Sequence, residues 1–231
     1  MNRPAFPPVS FSEPIRSSNA IQDLLSKQPV RRFGCDEHLF YEEDDDRSVY
    51  RVESGIVALY KVLGNGRRQI MSLRFPGDII GLDVTTSCHC GAMALASVTV
   101  RTVTQDMIER LVDRRPETSS EIIDFMAAEL NSTRRQITLL NRRSALEKLA
   151  AFLLELDRRQ TVKSPQCGVV DVPMSRTDIA DFLGLTIETV SRNLTKLKLR
   201  KIIRLPDIHT IVIIDRAGLS RLAEGDDITG D

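Results

Sequence analysis

Apolar residues recur along this chain in two rhythms, and the change from one to the other falls near Gln105. From about Ile21 to Gln105 the runs are short and alternating or β-branched: Val49–Val52, Ile56–Val62, Gln69–Leu73, Ala94–Val98 and Val100–Val103. That pattern predicts strands. Gly55, Asn65-Gly66 and Pro76-Gly77 punctuate them as turns, and Asn65-Gly66 between two such runs predicts a hairpin. Many short strands at close spacing predict a barrel or jelly-roll-like domain. Downstream the spacing becomes three and four. Asp106 to about Arg114 predicts one helix, Pro116 stands where a helix can restart, and the next pattern runs from Glu117 to Arg143. Within it Ile123, Met126, Leu130, Thr133, Ile137, Leu140 and Ser144 form a heptad seam, which suits either packing on its own domain or a parallel contact with a second copy.

The C-terminal part opens with Leu146, Leu149, Phe152, Leu153 and Leu156 on a helix, followed by a short strand at Val169 to Val172. Then comes a tightly punctuated pair of helices. Ser175 with Asp178 three residues on is a capping-box pattern, Ala180 is small where a second helix would cross, and Gly184 ends the first helix. Thr186 caps the second helix, whose Val190, Leu194 and Leu197 share an apolar face. The opposite face carries Glu188, Ser191, Arg192, Thr195 and Lys196. A buried stripe backed by such a face is what a recognition helix in a major groove requires. Ile202–Leu205, a turn at Pro206-Asp207 and Thr210–Ile214 add a hairpin, completing a winged helix. Helix-turn-helix proteins commonly read two half-sites with two subunits, so the seam is read as a homodimer contact.

Charge sharpens this picture. The 231 residues hold 32 Lys+Arg and 32 Asp+Glu, so the whole chain is no generic polyanion binder. Yet Lys196, Lys198, Arg200, Lys201 and Arg204 follow one another without an acid between them, beside the recognition helix, where phosphate neutralisation is a local effect. No apolar stretch approaches a membrane span and Met1 to Ser10 lacks a signal-peptide core, so a cytoplasmic location is expected. Cys35, Cys88, Cys90 and Cys167 are then expected as reduced thiols. Only His38, His89 and His209 are available as imidazole ligands, one of them in the wing, so an enzymatic three-histidine metal site is not expected, and no nucleophile motif or phosphate loop appears. Cys88-His89-Cys90 is the one local cluster with possible redox chemistry; C-x-C lacks the second ligand pair of a structural zinc site.

After the N-terminal arm, the chain resembles the family of the cyclic AMP receptor protein and the FNR regulator, especially its FixK-like branch. The resemblance is carried by Phe75-Pro76-Gly77-Asp78-Ile79-Ile80-Gly81, by Leu149-Ala150-Ala151-Phe152-Leu153 and by Ile187-Glu188-Thr189-Val190-Ser191-Arg192. It implies an α+β fold: a cyclic-nucleotide-binding-type β-roll, a long dimerisation helix and a C-terminal winged helix-turn-helix. The expected division is a flexible arm over 1–20, the β-roll over 21–105, hinge and dimerisation helix over 106–144 and the DNA-binding domain over 145–231. Arg192 suits guanine O6 and N7, Glu188 suits cytosine N4 and Ser191 suits a base edge or thymine methyl. In the family this trio goes with a TTGA-type half-site, implying TTGAT–four bases–ATCAA, and Ile187 in place of an arginine argues for it over TGTGA. Thr177, Thr186, Thr189 and Lys196 are the expected phosphate contacts.

The resemblance also bears on effectors. Cys90–Leu95 carries no Arg-Ser pair to hold a cyclic phosphate, and no cysteine precedes Cys35 to hold a cluster. No cofactor and no metal are therefore expected, and control would lie in the protein's abundance. The alternative is a haem-dependent nitric oxide sensor, with His38 and His89 as candidate ligands, or a redox-sensing regulator of the same family. The partners implied are double-stranded DNA, a second copy, and RNA polymerase, the last met by the hairpin tip around Leu63 to Arg67. Low-oxygen respiration, denitrification or nitrogen fixation would be the processes served.

Overall fold

The computed structural model describes residues 19–45, 48–82, 88–141, 144–161 and 168–225, and the chain divides into two compact units between Arg134 and Arg135. Most of the expected N-terminal arm, and Cys167, lie outside the described residues. The arm's last two residues, Asn19 and Ala20, already belong to helix α1 (Asn19–Ser26), which the strand-like pattern does not predict. Eight residues are too few for a period to stand out, yet Ile21 and Leu25, one turn apart, are fully buried.

The first unit continues with β1 (Val30–Phe33), β2 (His38–Phe40), β3 (Ser48–Ser54), β4 (Val57–Val62), β5 (Arg68–Arg74), β6 (Ile79–Ile80), β7 (Gly91–Ala94) and β8 (Val98–Thr104). They form two antiparallel four-stranded sheets, ordered β1-β8-β3-β6 and β2-β7-β4-β5. Residues of both sheets fill one core, among them Phe33, Phe40, Tyr50, Val57, Leu59, Ala92 and Val100. The outer face of the first sheet presents Val49, Ile79 and Val103 to α1 and to Ile108 and Phe125 of the helices that follow. Alternation within β3 and β8 thus supplies both faces of a doubly covered sheet.

The Asn65-Gly66 hairpin forms as its sequence predicts: the Leu63 N–H donates to Arg67 O at 2.8 Å and the Asn65 side chain accepts from the Arg67 N–H at 3.0 Å. The Ala94–Val98 strand does not. β7 ends at Ala94, β8 starts at Val98, and the residues between turn the chain from one sheet into the other, with the Leu95 N–H donating to Ile56 O. Local β-propensity shows no such corner, because the corner is set by which sheet each half joins. At Gly81 (φ +85°) a Cβ would stand 2.5 Å from Ser48 O, so the close approach of two backbones requires glycine there.

Helices α2 (Gln105–Arg114) and α3 (Thr118–Leu140) follow, near their predicted bounds. The second unit holds α4 (Ala145–Thr161), β9 (Val169–Asp171), α5 (Arg176–Leu183), α6 (Ile187–Leu199), β10 (Ile203–Arg204), β11 (Thr210–Ile213) and α7 (Arg216–Glu224). Its small sheet is ordered β10-β11-β9, antiparallel throughout. Phe152 of α4 and Phe182 of α5, both fully buried, meet at 5.6 Å between ring centroids. The closing helix α7, which the sequence pattern does not predict, is capped by the Asp215 carboxylate on the Gly218 N–H at 2.8 Å and buries Leu219 and Leu222. Arg216 of α7 pairs with the buried Asp157 of α4. Only two large apolar side chains in nine residues mark this helix, too few to separate it from a tail by pattern.

Candidate nucleic-acid interface

The site begins with two caps. Ser175 Oγ accepts from the Asp178 N–H at 3.1 Å while Asp178 Oδ2 accepts from the Ser175 N–H at 2.9 Å, closing the capping box that opens α5. Gly184 ends α5 in the left-handed conformation (φ +64°) and Leu185 donates back to Ala180 O at 2.9 Å. Thr186 then opens α6, its Oγ1 accepting from the Thr189 N–H at 3.3 Å. These contacts fix the turn between the helices within a few residues. Ala180 of α5 is buried, as are Val190, Leu194 and Leu197 along one face of α6.

What remains on the other side of α6 is a polar face. Glu188, Arg192, Thr195 and Lys196 are exposed and Ser191 is half-buried. Spacings of three and four place Glu188, Ser191, Arg192 and Thr195 on one side of the helix. Arg192 Nη2 lies 3.4 Å from Thr189 Oγ1, so Thr189, rather than Glu188, is the side chain it leans on. Glu188 is held from the other end. Its own backbone N–H and then the Thr186 hydroxyl keep its carboxyl below the ordinary glutamate range, Arg192 adding at a distance. An ionised carboxylate and a fixed guanidinium, one turn apart, offer an acceptor and a two-pronged donor to base edges.

Thr177 is exposed on the first turn of α5, next to a residue that sequence reasoning does not single out: Arg176, whose Nη1 lies 3.4 Å from Ser191 Oγ. Its position directly after the capping serine, at the positive end of a helix, is the available signal. Lys198, Arg200, Lys201 and Arg204 are exposed past Lys196 and extend the basic surface toward β10. In the wing, the Asp207 carboxylate accepts from the His209 N–H at 2.8 Å, which shapes the β10–β11 turn.

The other candidate residues lie elsewhere. On α3, Ile123 is 65% exposed, Met126 41%, Leu130 52% and Ile137 54%, with Thr133 exposed and Leu140 half-buried, whereas Phe125 and Leu139 are buried. Cys88 and Cys90 are half-buried against the sandwich core, and the Cys88 backbone is tied to Glu43 and Asp44 at 2.8 and 3.2 Å. His38 stacks on Tyr41 at 4.4 Å and meets Tyr60 edge-on at 5.8 Å; His89 is exposed. Among the described residues no group of three His, Cys, Asp or Glu could hold a metal ion, and no helix is long and apolar enough to cross a membrane.

Comparison with known proteins bears on both units. Residues 147–222 match the family described as Crp-like helix-turn-helix domain and residues 30–115 match the cyclic nucleotide-binding domain. The chain is 41% identical over 192 residues to the nitrogen fixation regulation protein FixK of Bradyrhizobium diazoefficiens, covering 83% of this chain and 80% of the relative. It is 42% identical over 172 residues to the transcriptional activatory protein AadR of Rhodopseudomonas palustris, covering 74% and 72%. The structure of FixK2 from Bradyrhizobium japonicum superposes with a TM-score of 0.78 at 36% identity, over 84% of this chain and 96% of that one. With a winged helix presenting Glu188, Ser191 and Arg192, an antiparallel double sheet and relatives of this identity and coverage, the chain belongs to the Crp/Fnr family of DNA-binding transcription regulators, in its FixK-like branch.

Proposed function

We propose that the protein acts as a homodimer on a palindrome of the form TTGAT–four bases–ATCAA, mainly as an activator, and needs neither a cyclic nucleotide nor an iron–sulfur cluster to bind. The observation that carries the reading is the polar face of α6, where Glu188 and Arg192 stand one turn apart and the Arg192 guanidinium lies 3.4 Å from Thr189 Oγ1. Arg192 reads guanine and Glu188 accepts from cytosine N4, with Ser191 against a base edge. Thr177, Thr186, Thr189 and Lys196, joined by Arg176, sit around that face as phosphate contacts. The seam of α3, exposed at Ile123, Met126, Leu130, Thr133 and Ile137 and half-buried at Leu140, supports pairing with a second copy. In this reading residues 21–105 serve as the β-roll, 106–144 as hinge and dimerisation helix, and 145–231 as the DNA-binding domain.

The hairpin at Leu63 to Arg67, flanked by the exposed Val62 and Met71, is the proposed contact for RNA polymerase. The names of similar proteins, among them nitrogen fixation regulation proteins and an anaerobic regulatory protein of Haemophilus influenzae, support low-oxygen or nitrogen-oxide-linked genes as targets. A redox-sensing version of the same reading rests on Cys88 and Cys90, two half-buried thiols two residues apart.

The test is a fluorescence-anisotropy titration of purified, reduced protein against the palindrome and a scrambled duplex at one salt concentration. Selective binding of the palindrome is the expected result, and equal weak binding to both duplexes would refute effector independence or the half-site. Repeating the titration after diamide oxidation tests the thiols, where an unchanged isotherm removes Cys88 and Cys90 from the control of binding.

A further inference from the structure

Arg74 closes β5 with a side chain that is almost entirely buried, and it meets Glu129 of α3 through two parallel hydrogen bonds of 2.5 and 2.6 Å. Burial works to strip the guanidinium of its proton, but the hydrogen bond and the charge of Glu129 outweigh it and hold the pKa above its ordinary value. The third guanidinium nitrogen, Nε, is buried too and has no hydrogen-bond partner among the described residues. The pair is the point where the second sheet grips α3. The other grip is apolar: Phe125, one turn before Glu129 on the same helix face, is buried with Ile122 beside it against the outer face of the first sheet.

These two grips differ in kind. Apolar contact is non-directional and tolerates a helix that rolls, whereas a fork-to-fork pair fixes both distance and orientation. Successive residues of a helix stand about 100° apart. The angle at which Glu129 is held therefore sets where its neighbour Leu130 points, and with it the exposed Ile123 and Met126.

We infer that Arg74 and Glu129 are positioning residues for DNA binding: the pair sets the rotation of α3, so that two seams meet at one angle and the paired recognition helices suit one half-site spacing. In this arrangement the Glu129 carboxylate fills the guanidinium fork from within the chain. The inference rests on the dimeric DNA-binding reading above.

Removing one partner alone would strand a buried charge and risk the fold. The informative variants are R74K, which keeps the charge but loses the fork, and R74M/E129L, which replaces the pair with apolar side chains. Two readouts on the full-length protein separate the possibilities. Hydrogen exchange of α3 amides from Ile122 to Thr133, without DNA, should speed up by about tenfold or more in both variants while the β3 and β8 amides stay protected. The anisotropy titration should be run on palindromes with four-base and five-base spacers, which differ by about 35° in half-site rotation. The native protein should prefer the four-base spacer by about tenfold or more, as much as a lost base-pair contact, and both variants should lose most of that preference. Unchanged α3 exchange, or an unchanged spacer preference in the folded variants, would overturn the inference. A native protein with no preference for either palindrome would refute the DNA reading instead, and the exchange measurement would still decide whether the pair holds α3.

Discussion

Thr186 does two jobs with one hydroxyl. It accepts from the Thr189 N–H to start α6, and it helps keep the Glu188 carboxyl ionised, two residues into the same helix. Because the Glu188 pKa is lowered, its acceptor form persists below the ordinary glutamate range and is lost only as pH falls through that lowered value. A carbon-13 NMR titration should show Glu188 titrating below other exposed glutamates, and Thr186→Val should move its midpoint up; superimposable curves would remove the threonine from the account. Arg192 is different, since its support comes from Thr189 at 3.4 Å and its value lies in the fork it offers. Arg192→Ala should cost about 1–3 kcal/mol of specific binding and relax discrimination at one base pair. A binding-site selection that returns the native preference would show that another side chain reads that base.

Among elements, the α5–turn–α6 unit is held by short-range contacts, which is why the order of its amino acids makes it legible. Ser175, Asp178, Gly184 and Thr186 act within three or four residues of themselves, so their types and spacing carry the geometry. Ser175→Ala should destabilise the C-terminal unit by about 1 kcal/mol, measured by thermal unfolding. Gly184→Ala meets no steric obstacle, as no atom lies within 4 Å of the added Cβ, so its cost should be only the left-handed backbone, about 1–2 kcal/mol. A larger loss would mean the turn is coupled to packing that the local contacts do not include. What sequence pattern hides is set at a distance. The corner at Leu95–Ser97 depends on sheet membership, the two-residue β6 on pairing with Tyr50 and Arg51, and α7 on a partner helix, α4, whose buried Asp157 accepts Arg216. Arg176 escapes notice for a related reason, because its nearness to Ser191 arises only when α5 and α6 cross.

At the level of the molecule, the double sheet follows more from resemblance than from pattern, since alternation alone leaves barrel and jelly roll equally open, whereas two capped helices and a hairpin already spell out the winged helix. The α3 seam is legible as a period, and its exposure in a single chain is what gives the period meaning: four large apolar side chains lie 41–65% accessible along one helix. Ile123→Glu with Leu130→Glu should convert the protein to monomers in sedimentation velocity and weaken palindrome binding by about a hundredfold or more, as one half-site loses its tether to the other. A double variant that still sediments as a dimer would place the interface elsewhere.

The basic surface that continues from α6 toward β10 has a consequence for how a target is found. With 32 acidic and 32 basic residues the chain carries no net charge to draw it to DNA at long range, whereas Lys196, Lys198, Arg200, Lys201 and Arg204 are exposed with no acid between them in sequence. In the proposed reading, collisions made through this patch already present α6 to the groove. Association with DNA should therefore slow as ionic strength rises, and less steeply once these five side chains are neutralised.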